Sequence, residues 1–173
     1  MHAFVDESAR GGLTICVAIV APTDAASVRS ALRQLLAPGQ QRLHMTKESA
    51  PRRRLILARL CEQPLEAMVY ESAYRVHREG RADIMRRIVA NPAIDRLTIE
   101  SAVGQDEHDV RAIQAEVHRL GRHEELHYEH REPRHEPLLR AADAVVFAYA
   151  AGGELRRRCE SLIGSIEVVE PHA

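Results

Sequence analysis

The sequence predicts an α/β domain, a mixed β-sheet that opens with an N-terminal hairpin and is flanked by helices. Three observations carry this. The first twenty residues hold two strand-like runs joined by a glycine turn. Helix-period and strand-period segments then alternate along the rest of the chain. The 173 residues are 45% hydrophobic and 28% charged, which is enough apolar mass for a folded core without a disulfide or metal staple. No repeat, low-complexity tract or linker divides the chain, so one domain over residues 1–173 is expected.

The elements follow in order. His2 to Ser8 reads as a strand, Ala9-Arg10-Gly11-Gly12 as a tight turn and Leu13 to Val20 as a buried, β-branched strand. Pro22-Thr23-Asp24 opens a helix in which Val28, Leu32, Leu35 and Leu36 recur at helical spacing, with Thr23 as its expected cap. Pro38-Gly39 ends it, and Arg42 to Thr46 reads as a short strand. Ser49-Ala50-Pro51 starts the next helix, where proline fits the first turn. Leu65 to Tyr74 is a strand, Arg81 to Ala90 a helix closed by Asn91-Pro92, and Ile94 to Ser101 a strand. Asp106 to Leu120 is an amphipathic helix with Gly121 as its stop. Leu126 to Glu129 is a short strand, Pro137 to Ala151 an apolar helix and Glu154 to Ile163 a final helix. Residues 166–173 carry no readable pattern.

Composition narrows the function. Lys+Arg is 24 against 25 Asp+Glu, a net charge of −1, which excludes a generally basic nucleic-acid coat but not a local patch. Lys47 is the only lysine, so arginine supplies nearly all the positive charge. Aromatics are 3% with no Trp, which argues against a base-stacking platform. Cys16, Cys61 and Cys159 have no disulfide or zinc spacing and read as reduced thiols. With no leader-like opening and no apolar run near the roughly 20 residues that span a bilayer, a cytoplasmic, membrane-free protein is expected.

Four carboxylates stand out. Asp143 lies on the apolar face of its helix with Leu139 and Val146, where a lone charge is costly unless it is paired, hydrogen-bonded or metal-bound. Asp6 and Glu7 end the first strand and point to opposite faces, so only one can join a site directly. Glu100 ends a later strand, where α/β sheets commonly face ligand; Glu71 and Glu129 share that claim. Carboxylates gathered at strand ends, with one more on a covering helix, suit Mg²⁺ or Mn²⁺.

These residues also carry a resemblance. Phe-Val-Asp-Glu-Ser at 4–8, the glycines after it, the short Leu43-His44 segment and Leu139-Arg140-Ala141-Ala142-Asp143 resemble the bacterial family catalogued as domain of unknown function 3800, over residues 3 to 155. That resemblance implies a ribonuclease-H-like fold and an acidic, metal-dependent site with nuclease activity. Asp6, Glu100 and Asp143 would be the catalytic metal ligands, with Glu7 as a fourth. Three positions depart from the family pattern: Ala9 replaces Gly, Arg140 replaces Gln, and Glu100 stands where Asp is commoner. Arg140 could contact a substrate phosphate or neutralise Asp143, and His44 could shuttle a proton.

The alternative is a scaffold or binding module that kept the fold without the chemistry, marked by an Arg140–Asp143 or Arg140–Glu100 ion pair. A third reading is a transition-metal site at His127, His130 and His135, although that spacing matches no strong zinc motif and a charged loop suits it better. Arg52-Arg53-Arg54 and Arg156-Arg157-Arg158 fan over about 200° of helix surface and make no single stripe. Any nucleic acid would be held through its backbone, and the Ala-rich helix 141–151 could serve a homodimer as well as a core.

Overall fold

The N-terminal hairpin pairs β1 (His2–Ser8) with β2 (Thr14–Val20) in antiparallel register, Ser8 opposite Thr14. The turn between them needs a left-handed residue, and Gly11 supplies it at φ 75°. The computed structural model describes residues 1–171. Downstream lie α1 (Ala25–Gln34), α2 (Ala50–Cys61), β3 (Leu65–Ser72), α3 (His77–Ala90), β4 (Arg96–Glu100) and α4 (Asp106–Leu120). They are followed by β5 (His127–Arg131), α5 (Leu139–Ala151), α6 (Gly153–Cys159) and β6 (Ile163–Val169).

The six strands form one sheet in the order β5-β4-β1-β2-β3-β6. β2 runs antiparallel to both β1 and β3, whereas β4 lies parallel to β1, β5 to β4 and β6 to β3. The C-terminal ends of β1, β3, β4, β5 and β6 therefore share one end of the sheet.

Both faces are covered, and strand alternation sorts the side chains between them. Phe4, Cys16 and Ala18 pack under α1, α2, α5 and α6. Ala3, Val5, Ile15, Leu97 and Ile99 pack under α3 and α4. Each fully buried Val, Leu, Ile or Phe contributes roughly 1.5–3 kcal/mol. α5 is sequestered on most of its circumference: Ala141, Ala142, Ala144, Val145 and Ala148 are at most 1% exposed. Its apolar surface is used by the chain's own core. Among the described residues no helix is long and apolar enough to cross a membrane, and the three cysteines are free.

The structure corrects the sequence reading in four places. Residues 42–46 are not a strand: they pair with no strand of the sheet, and next to a 3₁₀ turn (Met45–Lys47) Leu43 and Met45 are buried in the core. Residues 163–169 are the edge strand β6, whose pairing with β3 supplies an order that no periodicity announced. Residues 172 and 173 of that tail lie outside the described residues. α6 stops at Cys159. Asp24 rather than Thr23 occupies the cap position of α1, and it makes no side-chain cap bond. By contrast α4 ends as its glycine suggests, with Gly121 at φ 69°.

Candidate active site

Parity on β1 decides which acid faces which layer. Asp6 shares a face with Phe4 and so emerges beneath α5, while Glu7 shares the other with Val5. On β4, Leu97 and Ile99 belong to the α3/α4 side, so Glu100 emerges on the α5 side. Because Val5 pairs with Ile99, Asp6 and Glu100 leave adjacent strand ends next to each other. Asp143 reaches the same place from α5. A pocket of about 250 Å³ is lined by Asp6, Glu100 and Asp143 together with Arg42, His44 and Arg140.

The electrostatics bind the three acids together. Burial, then the charges of Glu100 and Asp143, push the Asp6 carboxyl well above the usual carboxylate range. Glu100 is raised by burial and by Asp143, offset by a hydrogen bond from Asp6 and by Arg42 and His44. The hydrogen bond between the two carboxyls, Asp6 to Glu100, raises the one and lowers the other, so their titrations are linked. Asp143 is raised by burial, against the pull of Met45, His44 and Arg42. The Met45 backbone N–H donates to Asp143 Oδ2 at 3.0 Å, and His44 Nδ1 stands 3.8 Å from the same oxygen.

Asp143 is held in turn by a residue the sequence did not single out for the site. Arg53 donates from Nε to the Met45 carbonyl at 2.8 Å and from Nη2 to the Thr46 carbonyl at 3.0 Å. Its guanidinium also lies 4.8 Å from the centre of the Phe147 ring. The run Arg52-Arg53-Arg54 is thus no free surface: Arg52 donates to the Leu35 carbonyl and Arg54 pairs with Glu154 at 3.0 Å.

Arg140 is 3% exposed. It pairs with neither Asp143 nor Glu100; Nη2 donates to the Gln41 carbonyl at 2.8 Å, while Nε and Nη1 are buried with no hydrogen-bond partner. Burial and the charge of Arg33 lower its pKa, with Glu136 opposing them. Glu136 is itself committed to Arg29, at 2.9 Å. A buried guanidinium with two orphaned donors is costly until an anion arrives.

Glu7 lines the same pocket from the other side of β1. Its carboxylate faces α3 and pairs with Arg81. Arg81 Nε and Nη2 donate to the two oxygens of buried Asp109, each at 2.8 Å. Gln105 donates to Asp109 at 3.0 Å, and His130 Nε2 lies 3.2 Å from it. Burial would raise Asp109, but hydrogen bonds from His130 and Arg81 hold it far below the ordinary range. This network ties the end of β1 to α3 and α4, with Glu7 as its outer member. Sequence alone offered little sign of it, since its members lie 28 and 74 residues apart.

The histidine-rich segment splits as strand alternation requires: His127 is exposed, while His130 turns toward Asp109. Among the described residues no three His, Cys, Asp or Glu side chains converge tightly enough to hold one ion by themselves.

No family model matches the chain, and no curated protein matches its sequence. A solved structure does resemble it. The ribonuclease HII of the PCNA–RNase HII complex from Archaeoglobus fulgidus aligns with a TM-score of 0.57 at 15% identity, covering 85% of this chain and 70% of that one. The fold is ribonuclease-H-like. Within this ribonuclease-H-like sheet the three acids occupy the ends of two adjacent parallel strands and the helix laid across them.

Proposed function

We propose that this chain hydrolyses phosphodiester bonds with Mg²⁺ or Mn²⁺ held by Asp6, Glu100 and Asp143. The observation that carries the reading is the mutual repulsion of three carboxylates gathered from β1, β4 and α5 in one pocket. Such a cluster destabilises the chain unless a cation neutralises it.

The donor set fits the ion. All three are hard oxygen donors, and Mg²⁺ keeps several waters, being bound by one or two carboxylates plus substrate phosphate and not by a closed protein cage. When bound, the ion supplies an activated water and charge stabilisation on the leaving oxygen.

The chain's own residues do the rest. Asp6 and Glu100, side by side at the strand ends, would hold the cation between them. The Met45 N–H orients Asp143. Arg140 and Arg42 hold a non-bridging phosphate oxygen opposite the acids, which satisfies Arg140's buried donors. His44, 36% exposed, carries a proton between pocket and solvent. The same motifs, residues 4–8 and 139–143, support placement with the domain of unknown function 3800 family.

Calorimetric titration of Mn²⁺ tests the site. Wild type should bind the ion, and Asp6→Asn and Asp143→Asn should each weaken it at least about tenfold. Equal affinity in all three proteins would refute the assignment.

A further inference from the structure

A cleft of about 800 Å³ lies between α3 and α4 on the face away from the carboxylates. It opens at the same end of the sheet, because α3 and α4 both begin just after the C-terminal ends of β3 and β4. Its rim is arginine. Arg78 and Arg86 stand eight residues apart on α3, about 80° apart around the helix and about 12 Å apart along its axis. Arg75 precedes them, and Arg111 faces them from α4.

The charges on this rim are only lightly countered: Arg86 is felt by Glu116, which is already bonded to Arg119. Most arginines of this chain are paired with a carboxylate or a carbonyl, but Arg75, Arg78 and Arg86 are exposed and take part in no hydrogen bond or ion pair among the described residues. Arg111 has only the exposed Glu107, at 3.6 Å. Glu79 is the one acid in the lining. The floor includes Ala82 and Ala112, small side chains that leave the trough open.

We infer that this trough is a second nucleic-acid contact, which holds the phosphate backbone of a single strand whose scissile bond lies at Asp6, Glu100 and Asp143. The inference rests on the proposed nuclease reading and extends it to the substrate's footprint. Spaced, exposed guanidiniums with no close hydrogen-bonded carboxylate match a run of phosphates. A cleft of about 800 Å³ has room for a short stretch of one strand. The lining offers Tyr74 as its one aromatic residue, so binding should vary little with base sequence.

The test measures binding of a fluorescent 20-nucleotide single strand by anisotropy, in EDTA, with the full chain. Arg78→Glu/Arg86→Glu should weaken binding at least tenfold and flatten the slope of log affinity against log salt by about 1.4, at roughly 0.7 for each phosphate no longer neutralised. The charge-matched control Arg96→Glu/Arg157→Glu, placed on other surfaces, should stay within twofold of wild type. Hydrolysis of bis(4-nitrophenyl) phosphate in Mn²⁺, which reports the carboxylate pocket alone, should be unchanged in both variants. Binding by Arg78→Glu/Arg86→Glu equal to the control overturns the inference, and so does a wild type that prefers duplex over single strand. Weakened strand binding in Arg78→Glu/Arg86→Glu, with no hydrolysis by wild type, upholds the trough and removes the nuclease reading.

Discussion

Asp6 and Glu100 are hydrogen-bonded across the adjacent ends of β1 and β4, and burial with the charge of Asp143 raises both carboxyls. A divalent ion would offset that repulsion. Mn²⁺ at about 100 times its dissociation constant should then stabilise the protein by about 2.7 kcal/mol. For a chain of this length that raises Tm by roughly 5–10 °C. EDTA should reverse the shift, and Asp6→Asn should show less than half of it. A thermal scan of both proteins checks this; equal shifts would place the ion elsewhere.

Arg53 supports Asp143 through the Met45 turn. Arg53→Met keeps bulk against Phe147 but removes the two bonds to the turn. Cleavage should fall about 10-fold to 100-fold, the usual cost of losing a group that orients a metal ligand. The stability change should stay near 1 kcal/mol. An unchanged rate would mean that the turn holds itself.

Arg140 should trade stability for binding. Arg140→Gln removes a buried charge with two orphaned donors, so the variant should unfold at equal or higher urea concentration than wild type. The KM for an oligonucleotide should rise about tenfold while kcat changes less. A variant that unfolds more easily with KM intact would make Arg140 a structural residue.

Asp109 gives the pH dependence. Its folded-state pKa is held below the ordinary 3.8 by His130 and Arg81 despite its burial. Its contribution to stability is therefore present above pH 3.8 and is lost as pH falls further. Asp109→Asn should cost about 3–5 kcal/mol at pH 7, because Arg81 loses its buried partner. The gap to wild type should narrow below pH 3.8. Urea unfolding of both proteins at pH 7 and pH 3 measures it, and a gap that widens in acid would contradict the network.

The sequence revealed what depends on local periodicity. The hairpin, the span of α4 with its Gly121 stop, and Asp143 on the sheet-facing side of α5 all follow from spacing and turn chemistry. Strand parity also separates Asp6 from Glu7 before any coordinate is known. What it left out depends on distant pairing. β6 exists because β3 offers it an edge. The 42–46 segment turns inward, where Leu43 and Met45 meet side chains from distant elements. Glu7 is claimed by Arg81, and the burial of Arg140 beneath Gln41 has no signature in the helix that carries it.

The central test is cleavage of a single-stranded oligonucleotide in Mn²⁺ by wild type and by Asp143→Asn, with circular dichroism to show that both are folded. Wild type should cleave, EDTA should stop it, and folded Asp143→Asn should be at least about 100-fold slower. Cleavage by folded Asp143→Asn at the wild-type rate, or none by wild type in Mn²⁺ or Mg²⁺, would contradict a metal-dependent nuclease built on Asp6, Glu100 and Asp143.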